Sequence, residues 1–281
     1  MEFLNITQAK KVAFVTYLGT INQSSKLEKN FKVSNVLTYS LYLSPSNISG
    51  YDVCPDSTPE CRSGCLNTSG LAKVEIHANM SRISDARITK TMLLIEHPEF
   101  FMKFLVAEIK SAKLKADKLN ADFSIRLNCT SDVDWSNVML DGKNIFQIFP
   151  EYNFYDYTKT FDKFLNKPSN YHLTYSFTGD NWVNCLRVLE VGYNIAMVFN
   201  IPKNGMLPKT YKGIEIVNGD LTDYRINDIE GCIVGLKWKK IANLENNEAV
   251  RFSKFAIQPN DKNLVYDVLN SAKIGLKSKV A

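Results

Sequence analysis

Six stretches of this chain have the residue make-up of β-strands, and helical patterns fall between several of them. VLTYSLYLS (36–44), FSIRLN (123–128), YNFYDY (152–157), YHLTYS (171–176), NIAMVF (194–199) and CIVGLKW (232–238) are rich in β-branched and aromatic residues. A helix is expected from about Pro98 to Leu119. Pro98 suits a first helical turn, and Phe100, Phe104, Leu105, Ile109 and Ala112 form an apolar stripe. Asp134 is expected to cap a helix through Asn137, Val138 and Leu140, with a further apolar turn at Ile145, Phe146 and Phe149. Shorter helices are expected around Phe161 to Leu165 and across GDNWVNCLRVLEVG, where Gly192 is the stop. Alternation of this kind implies βα units and a parallel sheet. The expected fold is a single α/β domain spanning residues 1–281. Its core, about 36–240, is expected to be a parallel (βα)6-type partial TIM barrel with N- and C-terminal extensions. An open doubly wound sheet is the alternative.

Cys54, Cys61 and Cys65 lie within twelve residues, in YDVCPDSTPECRSGCLNTSG, directly after the first of these strands. Thiolates are soft ligands that favour iron–sulfur clusters, Zn²⁺ or Cu(I). Pro55, Pro59, Gly64 and Gly70 make the stretch a loop able to fold back and aim three sulfurs at one point. An odd number of thiols leaves one unpaired in any local disulfide scheme. The loop also falls at the carboxyl end of its strand, where βα folds place active-site loops. Polar residues close the later strands on that same side: Asn128, Ser131 and Asp132; Tyr155, Asp156, Tyr157 and Lys159; and Ser176.

Composition removes several function classes. Apolar residues make up 45 % of the 281, enough for a sizeable core, and the net charge of +5 is spread along the chain. A nucleic-acid role would need a clustered basic face, and the richest basic run is the tail, Lys273, Lys277 and Lys279. MEFLNITQAKK has no basic region followed by a long apolar core, and no apolar run approaches the ~20 residues of a membrane span. The expectation is a cytoplasmic protein with reduced thiols and no membrane association. G-x-S-x-G, G-x-x-x-x-G-K-[ST] and strand-borne G-x-G-x-x-G motifs are missing. None of the three histidines neighbours a plausible nucleophile; His97 and His172 have no motif around them. Asp220, Asp223, Arg225 and Asp228 in NGDLTDYRINDIEG have neither EF-hand order nor its terminal Glu, and read as a polar turn with internal Asp–Arg pairing.

RLNCTSDVDW, FYDYTK, NYHLTYSFTGDN and VFN…LPKTYKGIEIVNGDLTDYRINDIEGCIVGLKWK, in that order, resemble an uncharacterised protein family of tailed phages with a cysteine-rich loop early in the chain. The resemblance covers roughly residues 36–240. Cys129 stands where that family is expected to have glycine. The layout also resembles the radical S-adenosylmethionine superfamily, in which a loop after the first barrel strand gives three cysteines to a [4Fe–4S] cluster and leaves one iron open. That superfamily's usual spacing is C-x3-C-x2-C, whereas here it is C-x6-C-x3-C, and strand two ends in Cys129-Thr130-Ser131-Asp132 rather than a glycine-rich stretch.

What the resemblance implies is a phage-encoded iron–sulfur protein in the host cytoplasm, with redox or radical-type chemistry. Cys54, Cys61 and Cys65 would be the metal ligands. Asn128, Ser131, Asp132, Tyr155 and Ser176 would line the mouth and bind a small molecule at the open iron, S-adenosylmethionine among the candidates. Lys159 or Lys237 would fix an anionic group. The alternative is a zinc-stabilised binding protein without catalysis, its fourth ligand being His77 or Cys129.

Overall fold

Along Val36–Leu41, alternate residues Leu37, Tyr39 and Leu41 enter one apolar core, while Thr38 and Ser40 face the other way; all six are buried. A strand covered on both sides belongs inside a sheet. The computed structural model places it there, and describes residues 7, 15–21, 25–68, 72, 74, 75, 78, 80–240 and 244–266. In chain order the first strands are β1 (Gly19–Ile21), β2 (Val36–Leu41), β3 (Asp122–Arg126), β4 (Met139–Leu140), β5 (Lys143–Asn144) and β6 (Asn153–Thr158). They are followed by β7 (Tyr171–Ser176), β8 (Asn194–Phe199), β9 (Thr210–Tyr211), β10 (Ile214–Asn218), β11 (Ile233–Lys237), β12 (Ala256–Ile257) and β13 (Leu264–Val265). The helices are α1 (Ser25–Ser34), α2 (Pro59–Ser63), α3 (Arg82–Glu96), α4 (Pro98–Lys118), α5 (Ile145–Ile148), α6 (Trp182–Glu190) and α7 (Leu244–Arg251).

The main sheet runs β1-β2-β3-β6-β7-β8-β11-β10-β9-β13, with β12 also pairing with β8. From β2 to β10 along this order every pairing is parallel; β1, β9 and β13 join antiparallel. The fold is therefore mixed α/β with a large, mostly parallel sheet. It does not close into a barrel. Nor do β2, β3, β6, β7 and β8 show the order reversal of a doubly wound sheet, for they lie side by side in chain sequence. All six strands expected from the sequence are in this parallel set.

One expected helix is not there. After Asp134, whose side chain accepts from the Ser136 amide, only a 3₁₀ turn (Trp135–Asn137) forms before the β4–β5 hairpin. Asp141 and Gly142, both at positive φ, make the hairpin's two-residue turn, the Asp-Gly signal of a type I′ connection. β6 and β7 are joined through a 3₁₀ helix (Phe161–Phe164), where a short helix is expected, and β9 and β10 lie between β8 and β11.

The two faces of the sheet differ. On one, α4 packs Phe101, Phe104, Leu105 and Ile109 against Leu37, Tyr39, Ile125, Phe154 and Leu173, and further along Cys185 and Val188 of α6 meet Ile195 and Met197. Burying each such side chain is worth about 1.5–3 kcal/mol. The other face is polar around β2, β3 and β6: Thr38, Ser124 and Tyr155 hydrogen-bond one another and Asn30 of α1. The segment 219–231 covers it, with Arg126 paired to Asp223, and the Asp223 amide donating to the Asn30 side chain at 2.8 Å.

Candidate metal centre

The loop after β2 is built by short-range hydrogen bonds that the sequence specifies. The Asp52 carboxylate accepts from the Cys54 amide at 2.9 Å, and Ser57 donates to the Cys54 carbonyl at 2.7 Å. Thr58 caps α2 by accepting from the Cys61 amide at 3.2 Å, with Pro59 in the first turn. Cys61 thus sits inside α2 and Cys65 just past its end. Gly64 is needed for packing: a Cβ there would stand 3.0 Å from Val250 of α7.

Two contacts tie this loop to the ends of β3 and β6. The Asp132 amide donates to the Val53 carbonyl at 2.8 Å, and Thr130 donates to the Leu43 carbonyl at 2.6 Å. Asp132 itself is buried and accepts from the Thr158 hydroxyl (2.7 Å), the Lys159 amide (2.7 Å) and the Lys163 ammonium (2.5 Å). Lys159, at the carboxyl end of β6, is thereby aimed at the cysteines. Its charge acts on Cys61, Cys54 and Cys65. Burial pulls its ammonium down, but Cys61, Asp132 and Cys54 more than offset this and hold it above the ordinary lysine value. Burial pushes the Cys54 thiol up to about 11, and raises Cys65 as well. All six cysteines are free thiols. Among the described residues no three His, Cys, Asp or Glu side chains stand at metal-ligand geometry.

Other expected residues are placed as follows. The Asn128 side chain accepts from Ser131 (2.9 Å), the Val133 amide (3.0 Å) and the Trp135 indole (3.2 Å), and donates to the Val133 carbonyl. Asn128, Ser131 and Asp132 thus hold the β3 loop in shape, their polar groups engaged within the protein. Tyr155 lies on the polar face, its hydroxyl on Asn30, away from the cysteines. Ser176 ends β7, its carbonyl accepting from Asn181 at 3.0 Å. Lys237 bonds the Lys203 carbonyl. Burial pushes the Cys129 thiol up to about 12; its sulfur contacts the Arg126 carbonyl at 3.7 Å, and the Cys54 sulfur contacts the carbonyl of the next residue, Thr130, at 3.9 Å. Arg87 of α3 is the group that senses both Cys129 and Cys65. It donates to the Asn67 carbonyl at 2.7 Å and lies over the Tyr42 ring. His77 lies outside the described residues, as do Gly70 and the tail lysines. His172 sits on β7, lowered to about 4 by burial. The Asp–Arg reading of the 220–228 turn holds for Arg225 and Asp228, paired at 3.0 Å; Asp223 reaches Arg126 and Asp220 reaches Lys239 instead.

Sequence reasoning missed Lys163, Arg87 and Asp56. A lysine four residues beyond another, after a strand, looks like a solvated turn until Asp132 is known to face it. Asp56 accepts from the Thr160 hydroxyl at 2.5 Å, a second bridge from the cysteine loop to the end of β6.

Asp156, on β6 beneath this loop, has a testable pH dependence. Burial raises its carboxyl to about 7, against the lowering effect of Arg126, the Asn128 amide and Tyr171. A folded-state value above the unfolded one means that the folded protein keeps the proton longer, so this contribution to stability is lost as pH rises from about 4 to about 7. Asp156→Asn should therefore gain ~2–4 kcal/mol relative to the parent between pH 4 and 8, at about 1.4 kcal/mol per pKa unit. Urea unfolding of both proteins at the two pH values measures it; a pH-independent difference would contradict the assignment.

Fold and site together define an α/β protein with a large, mostly parallel sheet and a three-thiol loop folded over the carboxyl ends of its strands. Residues 14–255 match the family described as GP88, Gene product 88, and the chain belongs to that family. This agrees with the phage-protein resemblance of its motifs and carries no information on S-adenosylmethionine chemistry. Neither a curated protein nor a solved structure matches the chain. No helix among the described residues is long and apolar enough to cross a membrane.

Proposed function

We propose that this chain is an iron–sulfur protein in which Cys54, Cys61 and Cys65 hold a [4Fe–4S] cluster at the mouth of a curled, (βα)6-type parallel sheet. The observation that supports it is the common neighbour of the three thiols: Lys159, fixed at the end of β6 by Asp132, interacts with all of them. The donor chemistry suits a cluster: three soft ligands lie in one short loop, Cys61 inside α2 and Cys65 just past its end, with the Lys159 charge near them. Such a cluster supplies one-electron redox chemistry, at a potential set by its charge, hydrogen bonds and exposure. The protein's part is then specific. Cys54 and Cys65, whose thiols burial raises, must lose their protons to bind metal, and the Lys159 charge offsets the negative charge that results. A closed zinc site needs a fourth ligand, and Cys129 is turned toward Arg126 and Tyr42.

The test is anaerobic purification with measurement of iron, sulfide and zinc, visible absorbance, and low-temperature EPR after reduction. About four irons and four sulfides per chain are expected for a cubane on cysteine thiolates. Stoichiometric zinc without visible absorbance would overturn the redox reading.

A further inference from the structure

A cleft of about 310 Å³ opens beside the cysteine loop, lined by Asp56, Lys159, Thr160, Phe161, Asp162, Tyr175, Thr178, Asn181 and Asn184. That volume is at the lower end of the range for small-molecule sites. Its walls come from three parts of the fold that meet at the carboxyl edge of the sheet: the loop carrying Cys54 and Cys61, the turn after β6, and the end of β7 with the first turn of α6. Lys159 belongs both to this lining and to the thiol set, so whatever fills the cleft lies next to the cysteines.

The lining chemistry selects among ligands. Lys159 is the one cationic residue in that lining, and it faces two carboxylates there. Two carboxylates, Asp56 and Asp162, oppose an anion. A wholly apolar occupant would strip water from those carboxylates without replacing its hydrogen bonds. Hydroxyl groups suit the site from both sides, donating to the carboxylates and accepting from the side-chain amide of Asn184, while the Asn181 side chain is held by Ser176 and Thr178. Phe161 and Tyr175, edge to face at 6.4 Å, add an apolar wall. The geometry points to a binding site for a neutral, hydroxyl-rich molecule of sugar size, with Asp56 and Asn184 as its recognition residues. As the ligand site of the metal centre it rests on the cluster reading. It adds a second place for a small molecule to approach, beside the strand ends at Asn128, Ser131, Asp132, Tyr155 and Ser176.

The full chain, purified anaerobically, is titrated with D-glucose, D-ribose and myo-inositol, and with glucose 6-phosphate and gluconate as anionic counterparts, using saturation-transfer NMR and calorimetry. Saturable millimolar binding of a neutral polyol is expected, weakened at least tenfold in both Asp56→Asn and Asn184→Ala, with metal content unchanged in Asn184→Ala. The inference falls if no polyol binds saturably, if the variants bind as the parent does, or if the anionic counterparts bind more tightly. Iron measured on the same samples separates the two readings. Polyol binding by a chain that takes up no iron would sink the cluster and keep the site, whereas an iron-loaded chain that binds none would sink the site alone.

Discussion

Alanine at Cys54, Cys61 or Cys65 is expected to remove the iron that the proposed cluster would hold, each single substitution bringing metal and visible absorbance down to background. Three cysteine ligands are the fewest that hold a cubane with one open iron, and two thiolates leave it half exposed to solvent. The same substitution at Cys185 or Cys232 leaves iron content unchanged. Cys185 lies in the apolar core beside Val188 and Ile195, and Cys232 packs near Ala196 and Val234. Each should cost only about 1 kcal/mol of stability, the order of one buried methylene-sized group. Cys129→Ala also keeps its iron, because that thiol faces Arg126 and Tyr42. Iron per chain, from colorimetric assay against amino-acid analysis, decides the matter. Full iron in Cys65→Ala would overturn the ligand assignment, and loss of iron in Cys129→Ala would move the fourth sulfur into the site.

The parts of this architecture that were legible in the sequence are those set by local pattern. The runs at 171–176 and 194–199 coincide with β7 and β8 residue for residue, and the 98–118 helix was marked by Pro98 and a regular apolar stripe. Alternation of helix and strand gave the parallel sheet. It overreached where a capping residue was taken for a helix: Asp134 caps one 3₁₀ turn, and the Asp141-Gly142 turn just beyond it carries the stronger signal. The edge strands β1, β9 and β13 are two or three residues long and have no period to detect. For the site, clustering alone identified Cys54, Cys61 and Cys65. The partners that hold them are long-range. Asp132 reaches Lys163 across 31 residues and Thr160 reaches Asp56 across 104, distances over which side-chain type gives no hint of contact. Of the strand-end polar residues, Asn128, Ser131 and Asp132 hold the loop after β3 in shape. A buried Asn whose side chain makes four hydrogen bonds and a ligand-binding Asn are the same letter.

Asp132→Ala should have the largest effect on stability of any single polar substitution near the site. Its carboxylate is 8 % exposed and pairs with a Lys163 ammonium that is 6 % exposed. Removing the acid leaves a buried cation with two backbone carbonyls, Asp132 and Val133, as its remaining partners. Breaking a buried pair from one side costs ~3–5 kcal/mol. The Thr158 hydroxyl and the Lys159 amide lose their acceptor at the same time. Asp132→Asn keeps an acceptor without the charge and should cost less, about 1–3 kcal/mol. The buried ammonium is the main source of the penalty, so Lys163→Met added to Asp132→Ala should recover part of the loss instead of adding to it. Such an interaction energy is expected for groups in contact and absent for independent ones. Iron binding should fall with Asp132→Ala, since the Lys159 amide is one of the bonds that aim the ammonium at Cys61. Urea unfolding of the three variants, with iron assayed on each, gives both quantities. Strictly additive losses in the double variant would show that Asp132 and Lys163 act separately, and would remove the link by which the end of β6 holds Lys159 against the thiols.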